Sequence, residues 1–207
     1  MAYLALVRHG TSEYNEKGLW AGWDDPLLTE KGKEDAKEAG EQLKDIHFDA
    51  GFISDLQRHK QTIDIIFATT NQQVPITVSN ALKERDYGDF TANNKWEVKK
   101  KLGEAEFLKL RRAWDYPVPN GESLKQVYDR EVPYYESTIL PKLKEGKNVL
   151  IAGSGNNLRA LVKYLEDVPD DQIDQVQIAP GEIYLYQVNE QGEIIHKEIR
   201  NHHELTV

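Results

Sequence analysis

The chain has 207 residues with 35 Asp and Glu against 26 Lys and Arg, which gives a formal charge of −9. This length favours one domain over residues 1–207, with one substantial core. The negative charge argues against nucleic acid as the main partner, because phosphate backbones reward a basic face. The absence of cysteine excludes disulfides and thiolate metal sites, and it agrees with a reducing, cytoplasmic location. No stretch approaches the roughly 20 apolar residues that a membrane helix needs.

Short β-branched runs alternate with longer amphipathic segments along the chain. This alternation is typical of a mostly parallel sheet covered by helices on both faces, so we expect an α/β fold of the three-layer α/β/α type. In chain order the predicted elements are strand 3–7, helix 30–43, strand 50–53, helix 57–68, strand 76–78, helix 96–114, helix 123–143, strand 149–152, helix 157–165, strand 183–188 and strand 194–199.

Local residues predict how three of these elements begin, break or connect. Thr29 is suited to cap the helix that starts at Glu30, because its hydroxyl can accept an unpaired backbone N–H. Pro133 interrupts the helical pattern of 123–143, so we expect a kink or a break there. The segment 189–192 ends in glycine and predicts a turn that makes the last two strands an antiparallel hairpin.

Two predicted strands end in loops that carry polar residues. Strand 3–7 is followed by Arg8, His9 and Gly10, and strand 149–152 is followed by a loop that contains Ser154. We expect both loops to border one crevice, as is usual at the strand ends of α/β sheets. A neutral imidazole on such a loop can accept a phosphoryl group that neighbouring guanidinium groups hold. His9 is therefore the candidate nucleophile and Arg8 a candidate phosphate ligand; the alternative for His9 is a surface or capping histidine.

Further candidates for the same chemistry lie elsewhere in the chain. Arg58, near the start of helix 57–68, can bind phosphate oxygens with its planar guanidinium and lies where backbone N–H groups also favour an anion. Ser12 and Asn15 can donate hydrogen bonds, although either residue could instead cap a turn. Glu84 is the candidate proton carrier. Its alternative role is an ordinary salt bridge with a neighbouring lysine or arginine.

These residues belong to a pattern that resembles the histidine phosphatase superfamily, and within it the phosphoglycerate mutases that use 2,3-bisphosphoglycerate as cofactor. The tripeptide Arg-His-Gly alone would be weak evidence, but the blocks follow the family's order along almost the whole chain. They comprise 6–12 with Asn15, Gly22-Trp23, 28–32, 54–58 with Thr62, 82–88 with Asn94 and Lys95, Arg111-Arg112, 121–123, and Gly155-Asn156 with 158–161. The resemblance implies interconversion of 2- and 3-phosphoglycerate through a phosphohistidine on His9.

The resemblance also implies roles for single residues. Glu84 matches the position of the family's acid. Residues that match the substrate-binding positions are Gly22, Tyr87, Lys95, Arg111, Arg112, Gly155 and Asn156. Plain phosphatases of the superfamily usually lack the lysine and the arginine pair of this set, which implies a small, doubly charged acid as substrate. Taken alone, Arg111-Arg112 would more often be a solvated helix face.

The departures from the family pattern concern the same site. Ser154 stands where the family has a second histidine, which donates a hydrogen bond to the transferring phosphoryl group. Loss of one such donor typically costs about 100- to 1,000-fold in rate, so slow turnover is expected. Ala21, Ala92 and Asn157 replace a usual threonine, glycine and serine, and each of these changes bears on substrate positioning.

Other histidines could compensate for Ser154. His59 follows Arg58, but adjacent helix residues point about 100° apart, so we do not expect both to face one phosphate. His202 and His203, with Glu204, could suggest a metal site, but a frayed polar terminus is the expected alternative. No metal is expected, because the arginines already supply positive charge.

The sequence therefore leaves three functions open. The first is a mutase-like phosphoryl transferase, and the second is a small-molecule phosphomonoesterase of the same superfamily. The third is a catalytically silent protein that binds a phosphorylated acid, an interpretation favoured by Ser154, Ala21 and Ala92. The expected partner is a small phosphorylated acid, with no nucleic acid and no membrane, and the chain could be a monomer or a homo-oligomer.

Overall fold

A six-stranded sheet forms the centre of the computed structural model, which describes residues 1–201. Its strands are β1 (Ala2–Arg8), β2 (Ala50–Ile53), β3 (Ile76–Val78), β4 (Val149–Gly153), β5 (Ile183–Val188) and β6 (Ile194–Arg200). The strand order is β3-β2-β4-β1-β5-β6. The first four strands run parallel, whereas β5 and β6 are antiparallel to their neighbours and form the expected hairpin. The prediction of a mostly parallel sheet is confirmed.

The helices follow the predicted order, with one addition, α1, and with two of the predicted helices each represented by two elements. They are α1 (Glu13–Glu16), α2 (Glu30–Glu41), α3 (Gln57–Thr69), α4 (Lys95–Leu102), α5 (Glu104–Arg112), α6 (Leu124–Tyr134), α7 (Leu140–Lys144) and α8 (Gly155–Leu165). The prediction of one helix over 96–114 was wrong, because Gly103 adopts a left-handed φ of 79° and separates α4 from α5. Within the described part of the chain, no helix has both the length and the apolar composition that a bilayer span requires.

The helix that contains Pro133 is distorted rather than broken. It runs through Pro133 to the end of α6, continues as a π-helical turn over Tyr135–Ile139, and becomes α7. Proline has no N–H for the helical ladder, and a wider turn is one way in which a helix absorbs such a defect. The Ser137 hydroxyl donates to the Pro133 carbonyl at 2.7 Å. The expected interruption therefore takes the form of a locally widened helix.

Alternate side chains of β1 build the two halves of the core. Leu4 and Leu6 pack in one cluster with residues of α7 and α8. Ala5 and Val7 pack in the other with residues of α2 and α3. Successive side chains of a strand point to opposite faces, so these contacts place helices on both sides of the sheet. The three-layer architecture is confirmed.

The loop after β1 lies directly against the first turn of α2. A Cβ atom on Gly10 would lie 1.9 Å from the Gly32 carbonyl oxygen, and one on Gly32 would lie 2.0 Å from the Thr11 carbonyl oxygen. Thr29 caps α2 as predicted, because its Oγ1 accepts from the Gly32 N–H at 3.2 Å. The backbone next to His9 is thus held by contacts that leave no room for a side chain.

We expect Gly10→Ala to lower the free energy of unfolding by about 3 kcal/mol, since the added methyl group would overlap backbone atoms that cannot rotate away. Urea unfolding measures this loss. Gly103→Ala is the control: its Cβ would meet no atom within 4 Å, and only the left-handed φ opposes it, at about 1 kcal/mol. Equal losses in the two variants would show that the Gly10 contact is unimportant.

Candidate active site

A crevice of about 1340 Å³ opens where β1 and β4 end. Arg8 pairs with Gly153 in the sheet, and the His9 N–H donates to the Gly153 carbonyl at 2.8 Å, so the two loops lie side by side. The sequence candidates that line the crevice are Arg8, His9, Asn15, Gly22, Arg58, Glu84, Tyr87, Lys95, Arg111, Arg112, Gly155 and Asn156. Ser12 and Ser154 are buried outside its lining.

His9 is held as a neutral imidazole. Its Nδ1 lies 2.7 Å from the Gly10 carbonyl oxygen. A carbonyl only accepts, so Nδ1 carries the hydrogen and Nε2 keeps its lone pair. Burial lowers the pKa of His9 well below its ordinary value, and the nearby charge of Arg58 lowers it further. His9 is therefore available as a nucleophile at neutral pH.

Two guanidinium groups are fixed by backbone carbonyls beside this imidazole. Arg58 donates to the carbonyls of Gly22 and Asp24, each at 2.8 Å. Arg8 donates to the carbonyl of Ile178 at 2.6 Å, and its buried Nε has no hydrogen-bond partner within residues 1–201. Buried donors without acceptors are costly, so this arrangement favours a bound anion.

Glu84 lines the crevice and forms no ion pair with a cationic side chain of residues 1–201. The Arg85 N–H donates to its Oε1 at 2.6 Å, and the Asn156 N–H lies 3.3 Å from both carboxylate oxygens. Lys83 instead pairs with Asp55 at 3.0 Å. The alternative role of Glu84 in a salt bridge with a neighbour was therefore wrong. Its carboxylate is oriented by backbone donors and remains accessible from the crevice.

Several cations that line the crevice form no ion pair with an acidic side chain of residues 1–201. Burial, together with the charge of neighbouring arginines, lowers the pKa of Lys95 to about 8 and that of Arg112 to about 10. The arginine ion pairs among residues 1–201 involve Arg130 and Arg200, which lie elsewhere. The unpaired residues, termed here the crevice cations, are Arg8, Arg58, Lys95, Arg111, Arg112 and Arg159. Such charge favours a multiply charged anion, although the chain as a whole carries −9.

Acidic side chains also line the crevice, but most are exposed. Asp35 pairs with Lys31 at 2.8 Å. The remaining aspartates are Asp170, Asp171 and Asp174. Water screens the three exposed carboxylates, so they offset the charge of the crevice cations only weakly. The nearby charge of Glu84 opposes the lowering of the pKa of Arg8, Arg58 and Lys95, but it is a single negative charge.

Arg159 connects three parts of the crevice wall and was not predicted as a site residue. It donates to Asn156 Oδ1 at 2.9 Å, to the Arg112 carbonyl at 2.9 Å and to the Ile173 carbonyl at 2.7 Å. Asn156 in turn donates to the Tyr87 hydroxyl at 2.8 Å. The available signal was its position three residues after Asn156, because residues at this spacing share a helix face.

Ser154 is contacted by a histidine that the sequence placed away from the phosphate. Its Oγ lies 2.7 Å from His59 Nε2, and Arg58 Nε lies 3.4 Å from the same oxygen. On the other side, His59 Nδ1 lies 2.7 Å from Ser54 Oγ. His59 does not line the crevice, and its ring centre is 5.7 Å from that of His9. This contact with Ser154 was not predicted from the sequence.

Ser12 adopts the capping role that the sequence left open as an alternative. Asn15 N–H donates to Ser12 Oγ at 3.3 Å at the start of α1, and the Ser12 hydroxyl donates to Asn15 Oδ1 at 2.9 Å. Only Asn15 of this pair lines the crevice.

Within residues 1–201, no group of three or more His, Asp or Glu side chains is arranged to hold a metal ion. The candidate metal residues His202, His203 and Glu204 lie outside the described residues.

The fold and the crevice define a class of protein: an α/β domain that presents a neutral histidine and fixed arginines to an anion at the ends of two parallel strands. The chain belongs to the histidine phosphatase superfamily (branch 1), whose family model matches residues 4–199.

Its relatives include 2,3-bisphosphoglycerate-dependent phosphoglycerate mutase of Parvibaculum lavamentivorans, which is 42% identical over 199 residues and covers 95% of both chains. The phosphoglycerate mutase of Schizosaccharomyces pombe is 43% identical over 199 residues, with 95% of this chain and 94% of the relative covered. Among solved structures, YhfR of Bacillus stearothermophilus superposes with a TM-score of 0.85 at 25% identity and covers 99% and 98% of the two chains. A mycobacterial glucosyl-3-phosphoglycerate phosphatase has a TM-score of 0.82 at 21% identity over 98% and 100%, a likeness of fold alone.

Proposed function

We propose that the protein is an enzyme that interconverts 2- and 3-phosphoglycerate through a phosphohistidine on His9. The observation that carries this proposal is a buried, neutral imidazole beside the crevice cations, which lack ion-pair partners among the described residues. Relatives of nearly the same length, at 42% and 43% identity, bear the name of this activity.

His9 and Glu84 divide the chemistry between them. His9 Nε2 attacks phosphorus with its lone pair while the bond from phosphorus to the substrate oxygen breaks, and the hydrogen stays on Nδ1, which donates it to the Gly10 carbonyl. Glu84 gives a proton to the leaving oxygen and takes one from the accepting hydroxyl in the return step. Arg8 and Arg58 hold the phosphate oxygens during both transfers. When bound, 2,3-bisphosphoglycerate supplies the phosphoryl group that first loads His9.

The wall formed by Lys95, Arg111 and Arg112 suits the second charged group of the substrate. A phosphoglycerate carries a carboxylate as well as a phosphate, and these cations can bind whichever group does not face His9. Neutral donors on the same wall come from Asn15, Asn156 and Tyr87. Gly22 and Gly155 line the crevice without a side chain, and a Cβ on Gly155 would lie 3.6 Å from Arg8 Cζ. A small ligand can therefore approach the backbone there.

The first test of this function is to incubate the protein with 2,3-bisphosphoglycerate and measure a phosphate adduct by intact mass. Conversion of 3-phosphoglycerate to 2-phosphoglycerate is then followed with the cofactor present. An adduct with interconversion supports the mutase. Release of inorganic phosphate in place of interconversion would show a phosphomonoesterase, and the absence of adduct and turnover would show a silent binding protein.

We expect the titration of Lys95 to determine how the reaction rate changes at alkaline pH. Its pKa of about 8 means that Lys95 is charged below pH 8 and loses its charge above it. We expect kcat/KM for 3-phosphoglycerate to fall about 10-fold above this pH as one charged hydrogen bond to the substrate is lost. Lys95→Arg keeps its charge throughout, so its profile should stay flat over this range. The same fall in both proteins would assign the titration to another group.

A further inference from the structure

A buried chain of three side chains joins the ends of two parallel strands. Ser54 follows β2, Ser154 follows β4, and His59 of α3 lies between them with its two ring nitrogens 2.7 Å from their hydroxyl oxygens. All three residues are fully buried. Groups buried in this way are held in one geometry, because an unpaired polar atom there is costly.

The number of available hydrogens limits how Ser54, His59 and Ser154 can be hydrogen-bonded to one another. Burial lowers the pKa of His59 well below its ordinary value, so the ring carries a single N–H. Two hydroxyl hydrogens and one ring hydrogen then serve two hydrogen bonds, and one hydroxyl hydrogen is left over. If His59 Nδ1–H donates to Ser54, the spare hydrogen is on Ser54. If His59 Nε2–H donates to Ser154, the spare hydrogen is on Ser154.

The surroundings of the two serines decide between these arrangements. Ser54 Oγ already accepts from the Leu56 N–H at 3.3 Å, and no acceptor for a spare hydrogen is found there within residues 1–201. Ser154 is itself buried, but two of its neighbours line the crevice: Gly155 follows it, and Arg58 Nε lies 3.4 Å from its Oγ. A phosphoryl oxygen bound beside Gly155 and Arg58 would therefore be an acceptor for a spare hydrogen on Ser154. The favoured arrangement is Ser54 donating to Nδ1 and Nε2–H donating to Ser154.

In this arrangement Ser154 Oγ accepts from its protein neighbours, and it also faces the Asn157 N–H as the N-cap of α8. His59 Nε2 donates at 2.7 Å, and Arg58 Nε donates weakly at 3.4 Å. The Ser154 hydroxyl can then only donate its hydrogen. The end of β4 places Ser154 beside the loop of His9. Two N–H donors on one oxygen also polarise its O–H bond and strengthen its own donation.

We propose that His59 is a positioning residue, which orients Ser154 so that the serine hydroxyl donates to the phosphoryl group transferred by His9. This inference rests on the proposed function. The family resemblance implies an imidazole at position 154, where this chain has a serine. Here α3 supplies an imidazole in contact with that serine, and Ser154 carries the hydrogen bond to the phosphoryl oxygen.

The kinetic test is a double-mutant cycle. Ser154→Ala removes the donor and should lower kcat about 100-fold. His59→Ala should lower kcat about 10-fold by loss of orientation. The double variant should be no slower than Ser154→Ala, because without the hydroxyl His59 has nothing to orient. KM should change less than kcat in each case. His59→Gln keeps a side-chain N–H and should recover part of the His59→Ala loss.

A purely structural role of His59 predicts a different pattern. The two single losses would then multiply in the double variant, His59→Gln would give no recovery, and loss of activity would follow loss of thermal stability. Any of these results, or an unchanged kcat in His59→Ala, overturns the proposal.

Orthovanadate separates this inference from the proposed function, because it mimics a transferring phosphoryl group and its binding needs no turnover. Its affinity, measured by calorimetry, should fall in Ser154→Ala and in His59→Ala, with no further fall in the double variant. If the parent has no mutase activity but shows this pattern, only the proposed function fails. If the parent is active and vanadate affinity is unchanged in the variants, only the role of His59 fails.

Nitrogen-15 NMR of the parent protein with bound vanadate gives an answer even if His59→Ala does not fold. The ring hydrogen of His59 should be on Nε2. A hydrogen on Nδ1 overturns the proposal, because Ser154 would then donate to His59 and not to the phosphoryl oxygen.

Discussion

Replacing His9 by alanine should abolish the phosphate adduct and lower kcat by about 10⁴-fold or more, since it removes the atom that accepts the phosphoryl group in the proposed mechanism. The neutral state and free Nε2 of His9 are the basis of this expectation. Intact mass after incubation with 2,3-bisphosphoglycerate measures the adduct, and steady-state assays measure kcat.

His196→Ala is the matched control for this variant. His196 is an exposed imidazole on the edge strand β6, so its loss should change neither the adduct nor kcat. An adduct of undiminished yield in His9→Ala would place the phosphoryl group on another residue and contradict the proposed mechanism.

Replacing Glu84 by glutamine should lower kcat by about 100- to 10,000-fold, the usual contribution of a positioned acid or base. Glutamine has nearly the same shape, and its amide oxygen can still accept from the Arg85 N–H that now binds Oε1 at 2.6 Å. The loss should therefore reflect proton transfer and not a collapsed wall. Thermal unfolding of the variant close to that of the parent would verify that the wall is intact.

The leaving group offers a sharper test of Glu84. Nitrophenyl phosphate releases an oxygen that is stable as an anion, so loading of His9 from this donor needs little proton donation. Glu84→Gln should slow loading from a phosphoglycerate far more than loading from nitrophenyl phosphate. An equal loss with both donors would mean that Glu84 acts in binding and not in proton transfer.

The parts of the fold that the sequence predicted are those set by local pattern. The apolar run before Arg8 predicts a strand whose end presents His9, and Thr29 marks the start of α2. The division between α4 and α5 depends on the positive φ of one glycine, Gly103. It was not predicted, because the residues on both sides of this glycine have a helical pattern. The four-residue helix α1 is too short to give a periodic signal.

The location of a crevice side chain was predictable where the residue lies at a strand end or a helix start, as for His9 and Arg58. It was not predictable where a role depends on packing between distant segments. His59 reaches Ser154 across 95 residues of chain, and Arg159 reaches the Arg112 carbonyl across 47. Helical geometry correctly predicted that His59 does not line the crevice. It could not predict that the His59 imidazole would contact Ser154.

The crevice cations also affect the folded state itself. Folding brings the six crevice cations together without ion pairs among residues 1–201, and Glu84 offsets their charge only in part. Electrostatic work is therefore done against their mutual repulsion and their loss of water. That work is recovered when an anion binds, because a ligand that binds only the folded state adds to stability in proportion to the logarithm of its concentration. The unliganded protein is therefore less stable than it would be without these repulsions, and anion binding restores that loss of stability. The concentration of phosphorylated acids around the protein then affects its free energy of unfolding as well as its rate of turnover.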